Sequence, residues 1–294
     1  MNAADGKFEG KRALLVINKK ARSGAQPIDP ALDVLRQAGF TIVEAAPGLE
    51  PVAAVRAANG ADIILAGGGD GTLNAVAPAL LEVGLPLGIL PLGTANDLAR
   101  TLEIPADMVG AAKIVAGGKT RRIDLGEVNG HPFFNVASIG FSASLAAELT
   151  AEAKRRWGSA GYGISALRLL FRTRPFTAFI DHDGRVDEVK TLQISVGNGR
   201  FYGGGMTVET SARPDDGRLD VYSLEVMHWW HLLALVPSLR RGTQGSWNSV
   251  RAFDTTELNI STRRPRDVNA DGELVTKTPA RFRILPKAVD VFVP

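Results

Sequence analysis

The sequence predicts an α/β domain built on a parallel sheet, followed by a mostly antiparallel second domain. Three observations carry this expectation. Strand-like and helix-like patterns alternate through residues 1–125, and after that the period changes to extended runs with Asn129-Gly130 and Asp183-Gly184 between them. The third is a glycine-rich turn, Gly67-Gly68-Gly69-Asp70-Gly71-Thr72, between an apolar run and a helical pattern. Strands separated by helices imply a parallel sheet covered on both faces, whereas Asn-Gly or Asp-Gly between strand-like runs signals a hairpin.

The elements follow in order. Residues 13–18 are an apolar strand. Asp29-Pro30 reads as an N-cap plus first-turn proline, opening a helix that Gly39 ends. Residues 40–45 are a second strand and 50–59 a second helix. Strand 62–66 leads into the glycine turn and a helix over 73–81. A fourth strand over 87–90, helices over 94–102 and 107–116, and a strand over 122–125 complete the first domain. Beyond it, residues 188–196, 219–225, 256–261 and 281–285 look extended, with helical patterns near 145–156, 163–171 and 229–239. No repeat or low-complexity linker intervenes, so the division between 1–125 and 126–284 is a change of period, not a tether.

Composition narrows the function classes. A chain of 294 residues with 45% hydrophobic and 22% charged residues buries full cores without staples. With no cysteine, disulfides and thiolate metal sites are excluded. His131, His182, His228 and His231 form no H-E-x-x-H pattern, which argues against a zinc hydrolase. A net charge of +3 is too small to argue for nucleic acid. Basic clusters at Lys154-Arg155-Arg156, Arg240-Arg241 and Arg263-Arg264 with Arg266, and tryptophans at Trp157 and Trp229-Trp230, are candidates for a membrane surface. The competing readings are a solvated face for each basic run and, favoured for the tryptophans, packing within the second domain. The N-terminus shows no apolar signal region, so the expected location is the cytoplasm, with peripheral contact at the inner membrane face.

Four segments carry chemistry. Glycines at 67–69 and 71 let an anion approach the backbone, and the helix start behind them supplies free N–H groups. The turn follows the third strand and lacks the G-x-G-x-x-G spacing, so it is not a dinucleotide fingerprint. Gly118-Lys119-Thr120 is not a Walker loop, because the earlier glycine would fall on Lys113. Pro91-Leu92-Gly93-Thr94-Ala95-Asn96-Asp97 lies at the next strand end, where Thr94 and Asp97 have capping-box spacing but would also wall a shared site. Asp271-Gly272-Glu273 reads either as a hairpin turn or as two carboxylates able to activate a hydroxyl. The glycine-rich run 197–206 and Asp215-Asp216-Gly217 offer close backbone approach and hard oxygen ligands for Mg²⁺ or Ca²⁺.

Taken together and in this order, these motifs resemble the diacylglycerol kinase catalytic-domain family, and bacterial soluble lipid kinases of the diacylglycerol kinase B and YegS type in particular. The resemblance runs from about residue 11 to the C-terminus and rests on 68–74, 91–97, 197–206, 215–220 and 271–273. It implies a nucleotide-binding α/β domain, a β-sandwich-like second domain, ATP between them, and a chain end over 285–294 that returns to the first domain. It implies that Gly68, Gly69, Gly71 and Thr72 cradle phosphates, with Leu73, Asn74, Thr94 and Asn18 lining the nucleotide site. Asp70 would hold catalytic Mg²⁺. Glu273 would be the base, with Asp271 as partner or alternative. Asp216, with the backbone carbonyls of Arg213 and Arg218, would hold a structural Mg²⁺. The implied reaction moves the γ-phosphoryl group of ATP to a lipid hydroxyl, on a diacylglycerol-like or phosphatidylglycerol-like acceptor. A homodimer is compatible with the sequence. The chain departs from the family pattern at Lys19, at Ala75, and at Ala46-Pro47. An NAD-kinase-like phosphorylation of a soluble hydroxyl and a non-catalytic nucleotide- or lipid-binding regulator are the alternatives.

Overall fold

The structure is a computed structural model that describes residues 7–17, 27–46, 48–148, 174–198, 201–202, 206–207, 213–225 and 250–294. Asn18, both tryptophan candidates, the basic clusters at 154–156 and 240–241, and the helical patterns over 163–171 and 229–239 lie outside the described residues.

Strands β1 (Arg12–Ile17), β2 (Thr41–Glu44), β3 (Ile63–Gly68) and β4 (Leu87–Pro91) pair in parallel in the order β2-β1-β3-β4. All residues of β3 and β4 are buried, as expected of central strands with cover on both faces. Helices α1 (Asp29–Gln37), α2 (Pro51–Arg56), α3 (Asp70–Val83), α4 (Asp97–Thr101) and α5 (Met108–Gly117) supply that cover, and their apolar faces join the sheet in one core. Three local expectations are corrected. The α1 N-cap is Ile28, and Asp29 falls in the first turn, where its charge complements the helix dipole. Helix α3 starts at Asp70, not at residue 73, so Gly69 alone separates strand from helix. Helix α4 starts at Asp97, behind an Asn96 N-cap in the left-handed region, so Thr94 and Asp97 form no capping box.

Residue 125 lies inside β5 (Thr120–Val128), a strand longer than the expected 122–125. It hairpins through Asn129-Gly130, both with positive φ, into β6 (His131–Phe133). After β7 (Val136–Gly140) comes α6 (Phe141–Glu148), which begins four residues before the expected 145–156 helix. Asp183-Gly184 turns β8 (Phe176–His182) into β9 (Arg185–Thr191). The single extended run expected over 188–196 is two strands, because the chain breaks at Leu192 before β10 (Gln193–Gly197). The short ribbon β11 (Phe201–Tyr202) and β12 (Met206–Thr207) follows. Then come β13 (Leu219–Leu224), β14 (Val250–Thr255), β15 (Glu257–Thr262), β16 (Asp267–Ala270), β17 (Glu273–Lys277) and β18 (Ala280–Phe292).

The second sheet, β14-β13-β10-β7-β16-β17, is antiparallel. Its inner face packs on β8, β9, β15 and the first half of β18 around Phe133, Ile139, Ile180, Val196, Leu219 and Phe282, which makes a two-layer sandwich. Strand β18 then continues into the first domain, where Val291 pairs in parallel with Leu87 of β4. Strands β5 and β18 pair along both halves, with a register shift between Leu285 and Val289. One continuous sheet therefore links the two halves of the chain.

Candidate active site

The glycine turn over 67–72 is shaped by backbone contact. A Cβ on Gly69 would lie 2.8 Å from the Gly93 Cα, and one on Gly93 would meet Gly69 closer still. A Cβ on Gly68 would collide with Thr72, the buried threonine of the first helical turn. Leu92 N donates to Gly68 O at 2.9 Å and completes the seam between the two strand ends. At the start of α3, Thr72 N and Leu73 N both donate to Gly69 O, at 2.9 and 3.2 Å, so the N–H groups of Asp70 and Gly71 are the ones that lie ahead of the helical ladder. Gly71, by contrast, is open, with nothing within 4 Å of an added Cβ.

The two glycines therefore predict opposite outcomes. Gly93→Ala forces the strand ends apart and lowers stability by about 1–3 kcal/mol, the range for overpacking. Gly71→Ala does not lower the melting temperature, because its methyl enters only open space. Thermal unfolding of both variants checks this pair.

Asn96 holds the second wall. Its Oδ1 accepts from Gly93 N at 3.0 Å and its Nδ2 donates to Gly93 O at 2.8 Å, with φ at 51°. Thr94 is left exposed at the tip of this small loop. Asp70 Oδ1 accepts from Leu98 N at 3.2 Å, so the first residue of α3 also caps α4. Sequence reasoning did not single out Asn96. Its signal was an asparagine three residues after a glycine, a spacing that side-chain-to-backbone loop closure uses.

Asp271-Gly272 is the hairpin turn between β16 and β17, both residues having positive φ, and Glu273 follows it as the first residue of β17. The hairpin reading holds. The carboxyl of Asp271 is fully engaged. Its Oδ2 accepts from Phe134 N at 2.7 Å, and its Oδ1 accepts from Asn135 N and Val136 N, each at 3.0 Å. Burial pushes this carboxyl up to about 6, against the pull of the three N–H groups, and the nearby Asp70 charge adds to the rise. Residue 271 keeps some exposure overall, but its carboxyl is walled in. Glu273, at the start of β17, is exposed. Asn74 on α3 reaches the same place, its Nδ2 donating to Ala270 O at 3.4 Å. The structure thus brings Gly68, Gly69, Asp70, Gly71, Thr72, Leu73, Asn74, Thr94, Asp271 and Glu273 to adjacent strand and helix ends.

Asp216 lies elsewhere, in the turn over 213–218. Its Oδ1 accepts from Arg218 N at 3.0 Å, and partial burial, with Asp124 and Asp215 nearby, raises its carboxyl above the usual range. The Arg213 side chain pairs with Asp215 at 3.2 Å, and that of Arg218 with Asp254. Asp124, which sequence reasoning missed, organises this turn. It is 1% exposed, and its carboxylate accepts from Gly217 N at 2.7 Å and Lys287 N at 2.6 Å. Its N–H donates to Pro214 O at 2.6 Å. The available signal was a lone acid between Ile123 and Leu125 in an apolar strand, a position that requires a partner for the charge. Among the described residues no cluster of three or more His, Asp or Glu forms a ready-made metal cage.

With this geometry in place, comparison with known proteins is informative. The family model for the diacylglycerol kinase catalytic domain matches residues 12–128. The model for the YegS C-terminal NAD kinase beta sandwich-like domain matches residues 135–293. The diacylglycerol kinase of Staphylococcus aureus (strain bovine RF122 / ET3-1) is 31% identical over 235 residues, which cover 79% of this chain and 75% of that protein. The crystal structure of a diacylglycerol kinase from Bacillus anthracis str. Sterne superposes with a TM-score of 0.78 at 26% identity, covering 97% of each chain. A second structure from that organism reaches 0.81 at 26% identity, over 100% of this chain and 98% of the other. The chain belongs to the diacylglycerol kinase catalytic-domain family. It is a lipid kinase with a two-domain fold, an α/β domain and an antiparallel sandwich-like domain. Among the described residues no helix is long and apolar enough to cross a membrane.

Proposed function

We propose that this lipid kinase transfers the γ-phosphoryl group of ATP to the free hydroxyl of a diacylglycerol-like lipid, presented at the membrane surface. The observation that carries the reading is geometric. Asn74 on the helix that opens with Asp70 donates to Ala270 O at 3.4 Å, so the turn bearing Glu273 lies against that helix.

The donor set fits a hydrated divalent cation. Asp70 offers a carboxylate, and the buried Oδ1 of Asn74, one helical turn on, has no hydrogen-bond partner and would accept from water around the cation rather than ligate it. Hard oxygens with room for water are what Mg²⁺ takes. Mg²⁺ held there by Asp70 would neutralise charge on the transferring phosphoryl group. A structural Mg²⁺ would be held by Asp216 and the carbonyls of Arg213 and Arg218, in the turn that Asp124 fixes.

The residues of the chain then divide the work. The backbone at Gly68, Gly69 and Gly71, with Thr72, cradles the phosphates. Thr94, exposed at the next strand end, lines the rest of the nucleotide site, while the Leu73 side chain packs in the core beneath it. Glu273 is the base, because its carboxylate is exposed, whereas both Asp271 oxygens are committed to backbone N–H groups. Asp271 is its partner in position rather than in proton transfer. As the acceptor oxygen bonds to the γ-phosphorus, the bond from that phosphorus to the ADP oxygen breaks and the hydroxyl proton passes to Glu273.

Incubation of the pure protein with labelled ATP, Mg²⁺ and a total lipid extract tests the proposal. A labelled product with the mass of phosphatidic acid is expected. Label in a phosphorylated phosphatidylglycerol, in NADP, or in no product would reject it.

A further inference from the structure

Four asparagines, Asn74 on α3 and Asn135, Asn198 and Asn269 in the second domain, each keep one buried side-chain atom without a hydrogen-bond partner among the described residues. These atoms are Asn74 Oδ1, Asn135 Oδ1, Asn198 Oδ1 and Asn269 Nδ2. Protein interiors rarely tolerate such atoms unless water or a ligand completes them. Asn74 is the one that lies on the phosphate helix. Four residues after Asp70, it shares that residue's face of α3. Pro78 follows four residues later and brings no N–H, so the backbone carbonyl of Asn74 lacks its ordinary helical donor. The helix is locally loosened at this residue.

Asn74 spans the junction through its side chain. Its Nδ2 donates to Ala270 O, the residue before Asp271, at 3.4 Å. The other hydrogen bonds of the base turn among the described residues stay within its own domain. Asp271 binds the N–H groups of 134–136, and Asn269 Oδ1 accepts from Gly272 N at 3.1 Å. Among the described residues the long Asn74 amide bond is thus the side-chain hydrogen bond that ties the Glu273 turn to the helix of Asp70, and it is of the kind that tightens once substrates arrive.

Building on the lipid-kinase reading, we propose that Asn74 is a positioning residue. Its amide N–H holds the Asp271-Gly272-Glu273 turn in register with the phosphate helix, and its orphaned Oδ1 accepts from water ordered in the cleft. This differs from a nucleotide contact, and the two separate cleanly. Asn74→Leu keeps the size of the side chain and removes both functions. Asn74→Ala is the milder second variant, used where the leucine protein does not fold.

Three measurements read the outcome. In steady state with diacylglycerol micelles, kcat falls about 10- to 100-fold, the scale of lost alignment, while KM for ATP moves less than about twofold. In a Glu273→Gln background the same substitution costs less than about twofold, because a misplaced base that is already absent loses nothing more. In the substrate-free protein, amide exchange over residues 269–274 accelerates while that of 76–83 does not. A raised KM for ATP with kcat preserved, a full loss in the Glu273→Gln background, or unaltered exchange at 269–274 would each overturn the proposal. A wild-type protein that phosphorylates no lipid would instead sink the lipid-kinase reading, and the exchange experiment would still report on Asn74.

Discussion

Glu273→Gln is expected to lower kcat by about 10²- to 10⁴-fold, the usual contribution of a positioned base, with the melting temperature unchanged. The size follows from the role. The acceptor hydroxyl must lose its proton as its oxygen closes on phosphorus, and glutamine cannot take it. The unchanged stability follows from the surroundings. Glu273 is exposed at the first position of β17, and its side chain makes no hydrogen bond or ion pair to another described residue. Its amide isostere therefore perturbs only the chemistry, and KM for ATP stays within about twofold because the phosphate turn is untouched. Asp70→Asn is a less selective probe. Its carboxylate also accepts from Leu98 N, so the variant weakens the α4 cap along with any metal affinity. Kinetics with labelled ATP, together with thermal unfolding of both variants, distinguish these cases. Undiminished turnover by Glu273→Gln would move the proton to another group.

Much of this site was legible because the relevant physics is local. Glycines at 67–69 announce close backbone approach, and the structure supplies the reason in the contact between Gly69 and Gly93. The hairpins at Asn129-Gly130 and Asp183-Gly184 follow from the left-handed φ that these residues accept. What was not legible depends on partners far along the chain. Whether Asp271 or Glu273 serves as the base cannot be read from their adjacency. The proposed choice of Glu273 rests on backbone N–H groups at 134–136, more than a hundred residues earlier, which engage both Asp271 oxygens. Asp124 likewise gains its meaning only when residues 217 and 287 are folded against it. The start of α3 was misplaced for a different reason. Glycines usually weaken helices, yet Gly71 sits in the first turn, where few intrahelical bonds depend on it.

Asp271→Asn is expected to destabilise the protein by about 1–3 kcal/mol, the cost of leaving a buried N–H without an acceptor. An amide in place of the carboxylate keeps one oxygen, but it turns an NH₂ toward at least one of the N–H groups of Phe134, Asn135 and Val136. The pH dependence gives the sharper test. Folding raises the Asp271 carboxyl from 3.8 to about 6, so in that window the native state holds a proton that the unfolded chain has released. By linkage this group's contribution to stability falls as pH rises through that window and is flat above it. The asparagine variant has nothing to titrate there. The stability gap between wild type and variant should thus be widest near pH 4 and narrow toward pH 7, as read by chemical denaturation at several pH values. Asp216 also titrates high, but it is present in both proteins and cancels. A gap that widened with rising pH would mean that the three N–H groups outweigh burial, and that the carboxylate is the preferred native form even in acid. In either case the loss in kcat should track the displacement of the 271–273 turn, because Asp271 acts on the reaction only through where it holds Glu273.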